Sequence, residues 1–248
     1  MRSARLFGVW VILLTLVAGV AGAVVLMGRN PAPISRYDAV QLASATPVRA
    51  APASRGSAAR SAVDPAWIAR VAHATGIPPA AVRAYGAATL RLADEQRQCR
   101  IGWTTLAGIG RIESGHGTIG GRTLLDDGRS STPILGPALD GAGDFAAIPA
   151  SAAATALHGD PRWDHAVGPL QFLPSTWARW GADGDGDGLA DPHDLDDAAY
   201  AAGRYLCASG ADLTTPSGWH AAVFSYNHAE SYVELVYATA SDYATAAG

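Results

Sequence analysis

A glutamate in the middle of the chain has the position that acid catalysis requires. The stretch "IGWTTLAGIGRIES" (Ile101–Ser114) has helical spacing, and Glu113 projects between Leu106 and Ile109 on the apolar side of that helix. Because burial disfavours an ionised carboxylate, we expect the pKa of Glu113 to be raised, which suits a general acid near neutral pH. A structural alternative is that Glu113 only caps the helix or pairs with an arginine at its end.

An acidic segment has the residue pattern of a cation site. "ADGDGDGLADPHDLDDA" (Ala182–Ala198) contains seven aspartates in seventeen residues. Its start matches an EF-hand calcium loop, in which alternate carboxylates, a glycine at position 6 and a backbone carbonyl at position 7 surround the ion. Position 12, usually a bidentate glutamate, is the shorter Asp194, and a solvated turn without metal is the alternative. The matching ligand positions are Asp183, Asp185, Asp187 and the Leu189 carbonyl.

Two later motifs place polar side chains beside helix boundaries. "AVGPLQFLPSTWARWG" sets a Gly-Pro turn before Gln171 and predicts a following helix capped by Ser175. "FSYNHAESYV" places Tyr226 and Asn227 at a helix break. Taken singly, Gln171 also suits an ordinary turn and Tyr226 also suits the core.

The charge pattern and the motifs that are missing exclude several functional classes. The 248 residues include 18 arginines and no lysine, and beyond residue 62 the acids outnumber the arginines by 21 to 11. An acidic body argues against nucleic acid as a partner, because phosphate binding needs a basic face. The sequence has no H-E-x-x-H and no G-x-S-x-G, which argues against zinc hydrolases and α/β-hydrolases. The stretch "GIGRIE" (Gly108–Glu113) has only two glycines of a G-x-G-x-x-G and follows no clear strand, which argues against a dinucleotide site there.

The N-terminal residues predict export. Arg2 and Arg5 precede the uncharged run Leu6–Met27, whose 22 residues suffice to span a bilayer as a helix. The triplet Ala21–Ala23 also has the small-x-small form of a signal-peptidase site. A retained anchor and a cleaved signal both place the remainder outside the cytoplasm, and the apolar residues that continue to Met27 favour the anchor.

Export gives meaning to two further features. Residues 30–62 are rich in Pro, Ala, Ser and Arg with few large apolar side chains, so we expect a disordered tether. Cys99 and Cys207 are the only cysteines, and an oxidising compartment allows them to form a disulfide. Two buried thiols are the alternative.

Start and stop signals predict a mostly α-helical body. Asp64 and Pro65 form an N-cap and a first helical position, and Gly76 stands where that helix should stop. Between Ser114 and Trp163 the periodicity disappears, which predicts a long functional or partly disordered connection. Further helices are predicted over 78–96, 101–114, from Asp196 or Asp197 through Cys207, and over 216–226 and 229–244.

Four motifs in this order resemble those of the lytic murein transglycosylases of the membrane-bound lytic transglycosylase B type. They are "IGRIESGHG", "GPLQFLPST", "DGDGDGLADP" and "SYNH", and the likeness extends over about residues 64–244. The resemblance implies a mainly α, lysozyme-like helical domain with a glycan-binding cleft and an embedded EF-hand-like calcium loop. The implied organisation is a signal anchor or signal peptide (1–29), a disordered linker (30–62) and a lytic transglycosylase catalytic domain (63–248).

The resemblance also implies a mechanism. Glu113 protonates the glycosidic oxygen between N-acetylmuramic acid and N-acetylglucosamine, while the N-acetyl group of the sugar stabilises the developing cation. Glu113 then takes the proton of the muramoyl C6 hydroxyl, which closes a 1,6-anhydro ring. One carboxyl group suffices, because substrate-assisted glycosidases dispense with a second.

The remaining site residues follow from matching positions in the family. The family's longer loop implies that Asp197 rather than Asp194 is the closing ligand of a structural calcium ion. Trp163 is a further candidate for sugar contact, with a core role as the alternative. Amide and phenol groups bond sugar hydroxyls, and an aromatic ring packs on a sugar face. The positions that line the family's glycan cleft are Gln171, Tyr205, Tyr226 and Asn227.

Two other functions stay open at the level of sequence. A muramidase would hydrolyse the same bond with a water activated by a second acid, for which Asp126, Asp127 and Asp164 are available. A calcium-dependent wall-binding module without activity would leave Glu113 structural. The expected partners are peptidoglycan glycan strands and, through the N-terminal segment, the membrane; we expect a monomer, with no nucleic acid bound, at the outer face of the cell membrane or in the cell wall.

Overall fold

A computed structural model of the chain describes residues 33–52, 62–143 and 145–248. The predicted signal anchor or signal peptide, residues 1–29, lies outside the described residues. Over the described ranges, none of the helices combines the length and the apolar character that crossing a bilayer would need.

Helices dominate the described residues, as the sequence predicts, and local signals set their ends. The Asp64 side chain caps the second helix by accepting a hydrogen bond from the Ala66 amide, and Gly76 ends that helix at φ 70°. The α-helices of the described ranges are α1 (Ala39–Ser44), α2 (Pro65–Thr75), α3 (Pro79–Glu95), α4 (Trp103–Ser114), α5 (Ala152–His158), α6 (Pro174–Trp180), α7 (Leu195–Gly210), α8 (Pro216–Tyr226) and α9 (Glu230–Ala247).

The start of α6 differs from the sequence prediction. Ser175 does not cap this helix, because the helix begins one residue earlier at Pro174, with Leu173 in the N-cap position and no side-chain cap. Proline suits the first helical position, since its φ is already helical and its missing amide hydrogen would have had no partner there. The Ser175 prediction is therefore wrong.

The core lies where α3 packs on α7, α4 on α9 and α7 on α8. Close approach of α3 and α7 depends on Gly203, because a Cβ atom there would lie 2.3 Å from a methyl carbon of Leu92. A disulfide between Cys99 and Cys207, whose Cα atoms are 5.2 Å apart, ties the segment after α3 to α7. The disulfide and Gly203 thus both help to position α7, the helix that follows the acidic segment.

The connection between Ser114 and Trp163 is more ordered than its composition indicates. It contains α5 and isolated antiparallel bridges such as Asp140 with Ala147 and Pro149 with Trp163. Leu139 from this connection is buried at 1% exposure. Short bridges and single buried residues give no periodic pattern, which is why the sequence did not reveal them.

The prediction of a disordered linker over 30–62 is wrong for residues 33–52, which we call the N-terminal strap. Tyr37 and Leu42 are buried at 2% and 1% exposure, so two large side chains suffice to dock this polar, alanine-rich segment. The Tyr37 ring lies 5.3 Å from that of Trp219 on α8 and 5.0 Å from that of Tyr237 on α9. The packed body of the described residues therefore includes the strap as well as the residues from 63 onward.

The strap also bonds to the first turn of α4. The Thr104 hydroxyl donates to the Leu42 carbonyl at 2.8 Å, and the Trp103 indole donates to the Ala45 carbonyl at 3.1 Å. Gly102 allows this approach, because a Cβ atom there would lie 2.3 Å from the Leu42 carbonyl oxygen. The strap thus holds the beginning of the helix that carries Glu113.

Replacing Tyr37 by alanine is expected to lower the free energy of unfolding by about 3–5 kcal/mol, because it removes a buried aromatic ring between α8 and α9. The matched control is Val40→Ala in the same strap, where the side chain is 60% exposed and the expected change is within about 0.5 kcal/mol. Urea unfolding of residues 33–248 measures both. Equal, small effects would show that the strap does not belong to the folding unit.

Candidate active site

Glu113 lies in the last turn of α4 and is buried, with 6% of the residue exposed. The Tyr232 hydroxyl on α9 donates a hydrogen bond to Glu113 Oε1 at 2.6 Å. The ring of Tyr232 is buried as well. The orientation inferred from helical periodicity, with the carboxyl group on the apolar side, is thus found in the structure.

Burial raises the pKa of Glu113 to about 7, although the Tyr232 hydrogen bond to the carboxylate opposes part of that increase. Over the ranges that the structure covers, no arginine forms an ion pair with Glu113. Nor does Glu113 cap the helix, which ends at Gly115 in the left-handed conformation. These contacts do not support the structural alternative of a cap or an ion pair.

Two hydrogen bonds join the end of α4 and the end of α8 to the "GPLQF" turn. The Ser114 hydroxyl donates to the Pro169 carbonyl at 2.6 Å, and the Tyr226 hydroxyl donates to the Leu170 carbonyl at 2.8 Å. Tyr226 is close enough to Glu113 for the carboxylate charge to contribute to its raised pKa, after the larger effect of burial. Three of the sequence motifs therefore meet at one place.

Gln171 lies in this turn with an unusual backbone conformation. Its φ is 51°, and its side-chain amide donates to the Gly168 carbonyl at 2.8 Å. The side-chain oxygen faces Gly136, where a Cβ atom would come within 2.9 Å of it. The Gln171 side chain is thus part of the turn, and its amide is held in a fixed orientation.

Tyr205 and Asn227 complete the set that the sequence predicted. The Tyr205 hydroxyl on α7 donates to the Ser225 carbonyl at 2.6 Å, and its ring lies 5.8 Å from that of Tyr226 in an edge arrangement. Asn227 is buried and forms the C-cap of α8, and its carbonyl accepts from the Ala229 amide at 2.8 Å. Trp163, the further candidate, is half-buried and bridges to Pro149.

Of the three carboxylates considered for a second acid, those of Asp164 and Asp127 have other hydrogen-bond partners, whereas Asp126 is contacted through its backbone carbonyl. Asp164 is buried and interacts with His158 Nε2 at 3.0 Å. The Asp126 carbonyl accepts from Arg83, and the Asp127 carboxylate accepts from the Arg129 amide at 3.1 Å. These contacts place the two exposed aspartates beside the Arg83 and Arg129 side chains, which pair with the acidic segment.

Sequence reasoning missed two residues that contact the end of α4. Tyr232 contacts Glu113 across 119 residues of sequence, and no local pattern marks it. His116 follows the helix at φ 60° and is buried between the hydroxyls of Tyr85, at 3.0 Å, and Tyr243, at 2.8 Å. Burial lowers the pKa of His116 to about 3, so the ring is neutral and bridges α3 and α9 behind the site.

The acidic segment folds into a loop whose carboxylates converge. One carboxylate oxygen from each of Asp183, Asp185 and Asp187 lies within 4.8 Å of the others. Asp197 reaches this loop from α7, where it accepts from the Gly184 amide at 2.5 Å and the Asp191 amide at 2.8 Å. Desolvation, and then the neighbouring aspartates, raise the pKa of Asp197 to about 6. Clustered oxygen donors of this kind suit a hard divalent cation.

The side chain of Asp194 is engaged outside the loop. It caps α7 by accepting from the Asp196 amide at 2.8 Å, and its other oxygen lies 3.8 Å from Arg129. Leu189 can contribute only its backbone carbonyl as a ligand, because its side chain is a hydrocarbon, and this agrees with position 7 of the EF-hand pattern. The contacts of Asp197, rather than those of Asp194, are therefore the ones that reach the loop.

The end of the acidic segment packs directly on the "GPLQF" turn. At Gly168, φ is 76°, and a Cβ atom would lie 1.7 Å from the Pro192 carbonyl oxygen. Any larger residue would push the two segments apart. The loop that could hold a cation is thus in contact with the turn that carries Gln171.

Part of the chain matches a known protein family. Residues 151–223 match the family model described as the transglycosylase SLT domain. The match covers the "GPLQF" turn and the acidic segment, and it lies inside the region that resembles the lytic transglycosylases. No curated protein matches the chain significantly.

Solved structures of lytic transglycosylases are similar to the chain. The Escherichia coli enzyme Slt35 in complex with calcium has a TM-score of 0.43 and 17% identity, over 73% of this chain and 79% of that chain. Slt35 in complex with bulgecin A has a TM-score of 0.40 and 15% identity, over 73% and 78%. SltB3 from Pseudomonas aeruginosa in complex with NAG-anhNAM-pentapeptide has a TM-score of 0.40 and 17% identity, over 82% and 69%.

The Glu113→Gln variant is expected to be more stable than the wild type at pH 8 and equally stable at pH 4. The folded-state pKa of about 7 exceeds the ordinary value of 4.5, so the native state keeps a proton that the unfolded chain loses. The free energy of unfolding of the wild type therefore falls as the pH rises from about 4.5 to above 7, by about 3 kcal/mol in total. Urea unfolding at pH 4, 6 and 8 measures this, and a variant less stable than the wild type at pH 8 would contradict it.

Proposed function

From the match of residues 151–223 to the transglycosylase SLT domain model, we propose that the chain cleaves the β-1,4 bond between N-acetylmuramic acid and N-acetylglucosamine in peptidoglycan and leaves 1,6-anhydro-muramoyl ends. The chain is an enzyme of the lytic transglycosylase type. We also propose that the fold is lysozyme-like and forms a cleft that binds the glycan strand.

The observation that carries the proposal is a buried carboxyl group with a raised pKa and no cationic partner within the described residues. At a pKa of about 7, Glu113 is protonated often enough to donate its proton to the glycosidic oxygen as the bond breaks. The resulting carboxylate accepts the Tyr232 hydrogen bond and then takes the proton of the muramoyl C6 hydroxyl, whose oxygen attacks C1. The proton taken from the C6 hydroxyl replaces the one given to the glycosidic oxygen, so Glu113 is protonated again at the end of the reaction.

The same contacts favour transglycosylation over hydrolysis. Hydrolysis by inversion needs a second carboxylate to activate a water. Asp164 is bonded to His158, and Asp127 accepts from the Arg129 amide. The Asp164 and Asp127 carboxylates are thus engaged in other contacts, and the C6 hydroxyl of the sugar itself is the nucleophile that we propose. A wall-binding module would not require a buried, proton-holding glutamate.

Four polar residues around the meeting point of the motifs are proposed to hold the glycan. The rings of Tyr205 and Tyr226 offer aromatic faces, and the fixed amide of Gln171 offers a donor of defined direction. Asn227 lies next to Tyr226 at the C-terminal end of α8, beside the helix that carries Tyr232. Sugar hydroxyl and acetamido groups are the partners that these side chains suit.

We propose that the acidic loop holds a structural calcium ion. The carboxylates of Asp183, Asp185, Asp187 and Asp197 and the Leu189 carbonyl would be its ligands, and its charge would offset their mutual repulsion. Because the loop packs on Gly168, an ordered loop supports the turn that carries Gln171.

The location follows from the substrate. Peptidoglycan lies outside the cytoplasm, so we propose that the chain is exported, with the apolar run Leu6–Met27 as a membrane anchor and glycan strands as its partner. A single site built from one chain fits a monomer.

Glu113→Gln is expected to reduce turnover of purified peptidoglycan by at least about 100-fold, because it removes the general acid. The matched control, Glu234→Gln, changes an exposed glutamate on α9 and should retain activity. Mass spectrometry of the wild-type products should show anhydro-muropeptides, lighter by one water than reducing-end products. Reducing-end products would instead identify a muramidase, and full activity in Glu113→Gln would overturn the role of Glu113.

Calorimetric titration is expected to show one calcium site per chain. Asp187→Asn should weaken binding by about tenfold or more, since the affinity of such loops follows the charge of their ligands. Asp242→Asn, which removes an exposed carboxylate on α9, is the control and should bind like the wild type. A wild-type protein that binds no calcium at millimolar concentration would remove the proposal.

A further inference from the structure

The docked strap shortens the connection between the predicted anchor and the folded body. The apolar run ends at Met27, and the described, packed residues begin at Pro33 with Tyr37 buried shortly afterwards. Only residues 28–32 lie between. At about 3.5 Å per residue, they reach at most about 20 Å, whereas a free linker over 30–62 would reach about 110 Å.

Several contacts oppose release of the strap. Tyr37 and Leu42 are buried, and Arg36 pairs with Glu234 on α9 at 2.7 Å. The Asp38 amide donates to the Tyr237 hydroxyl at 3.0 Å. These interactions join the strap to the same helix that carries Tyr232, so undocking it would expose apolar surface on α8 and α9.

The chain returns to the body where the strap ends. The Ala51 amide donates to the Ala62 carbonyl at 2.6 Å, and the Asp64 amide donates to the Arg49 carbonyl at 2.8 Å. The described residues that flank segment 53–61 are thus side by side. Extra residues inserted between them would not move the body away from residue 33.

The active site lies towards the far end of α4 from the strap. The strap contacts Trp103 and Thr104, and Glu113 follows about ten residues later, roughly 15 Å along the helix axis. A compact body of roughly 200 residues is about 40 Å across. Adding the reach of residues 28–32 keeps every part of the body within about 60 Å of the end of the apolar run.

We propose that the anchor and the docked strap hold the enzyme at a short, fixed height, so that it cleaves glycan strands lying within about 60 Å of the outer surface of the cell membrane. This inference rests on the proposed function for its substrate. The height itself depends only on the anchor and on the strap contacts.

The test uses the full chain in bilayer nanodiscs, with a donor fluorophore on a non-canonical amino acid at Ile119, near the end of α4, and an acceptor on the lipid head groups. One variant carries a 30-residue Gly/Ser insertion between Asn30 and Pro31. The matched control carries the same insertion between Ser57 and Ala58. The first insertion lengthens the tether, whereas the second enlarges only the loop between the strap and α2.

The insertion at 30/31 is expected to lower energy transfer by about twofold or more, because a flexible spacer of that length adds roughly 30 Å on average. The insertion at 57/58 should leave transfer unchanged. Equal losses from both insertions would show that the strap is an undocked tether, and equal transfer in all three proteins would show that the tether does not set the height. A protein absent from the nanodiscs would show that the anchor is not retained. Each of these results overturns the proposal.

Cleavage assays separate this inference from the proposed function. On a supported bilayer bearing glycan strands on polymer spacers, the wild type should release fragments only from strands within about 60 Å, and the 30/31 variant should also cleave strands further away. Release at all distances by the wild type would contradict the height limit. Failure of every variant to cleave soluble peptidoglycan in detergent would refute the proposed function and leave the measured height unaffected.

Discussion

The burial of one carboxyl group is the constraint on which the rest of the site depends. Glu113 is removed from water at the junction of α4 and α9, and its hydroxyl partner, Tyr232, is neutral. An arginine beside Glu113 would stabilise the ionised carboxylate and so lower its pKa. Among the described residues, Glu113 has a hydrogen bond from Tyr232 and no ion pair, so ionising it in the folded state lowers the stability of the protein. The same raised pKa suits the proposed role of Glu113 as a proton donor.

The surrounding elements hold this position from several sides. Ser114 and Tyr226 tie two helix ends to one turn, and Gly168 lets the acidic segment pack against it. At the opposite end of α4, the strap fixes the first turn through backbone carbonyls. The α4 helix, which carries Glu113, is therefore held at both ends, by the motifs at one end and by a segment without a motif at the other.

How far the sequence predicts the structure depends on how local each determinant is. The helix that starts at Pro65 was predictable because its cap and its stop are neighbours in sequence, and the burial of Glu113 was predictable because periodicity reports the face of a helix. Tyr232 was not, since its contact spans 119 residues. The strap was missed because two buried side chains, Tyr37 and Leu42, decide its order while its average composition resembles a linker.

The most direct measurement is a pH titration of the Glu113 carboxyl group by carbon-13 NMR, assigned with the Glu113→Gln variant and compared with the pH dependence of peptidoglycan cleavage. The account predicts that the pKa of Glu113 is near 7 and that cleavage declines over the same pH range as the acid loses its proton. A Glu113 pKa near the ordinary 4.5, with cleavage still efficient above pH 7, would contradict the claim that burial of this group provides the catalytic acid.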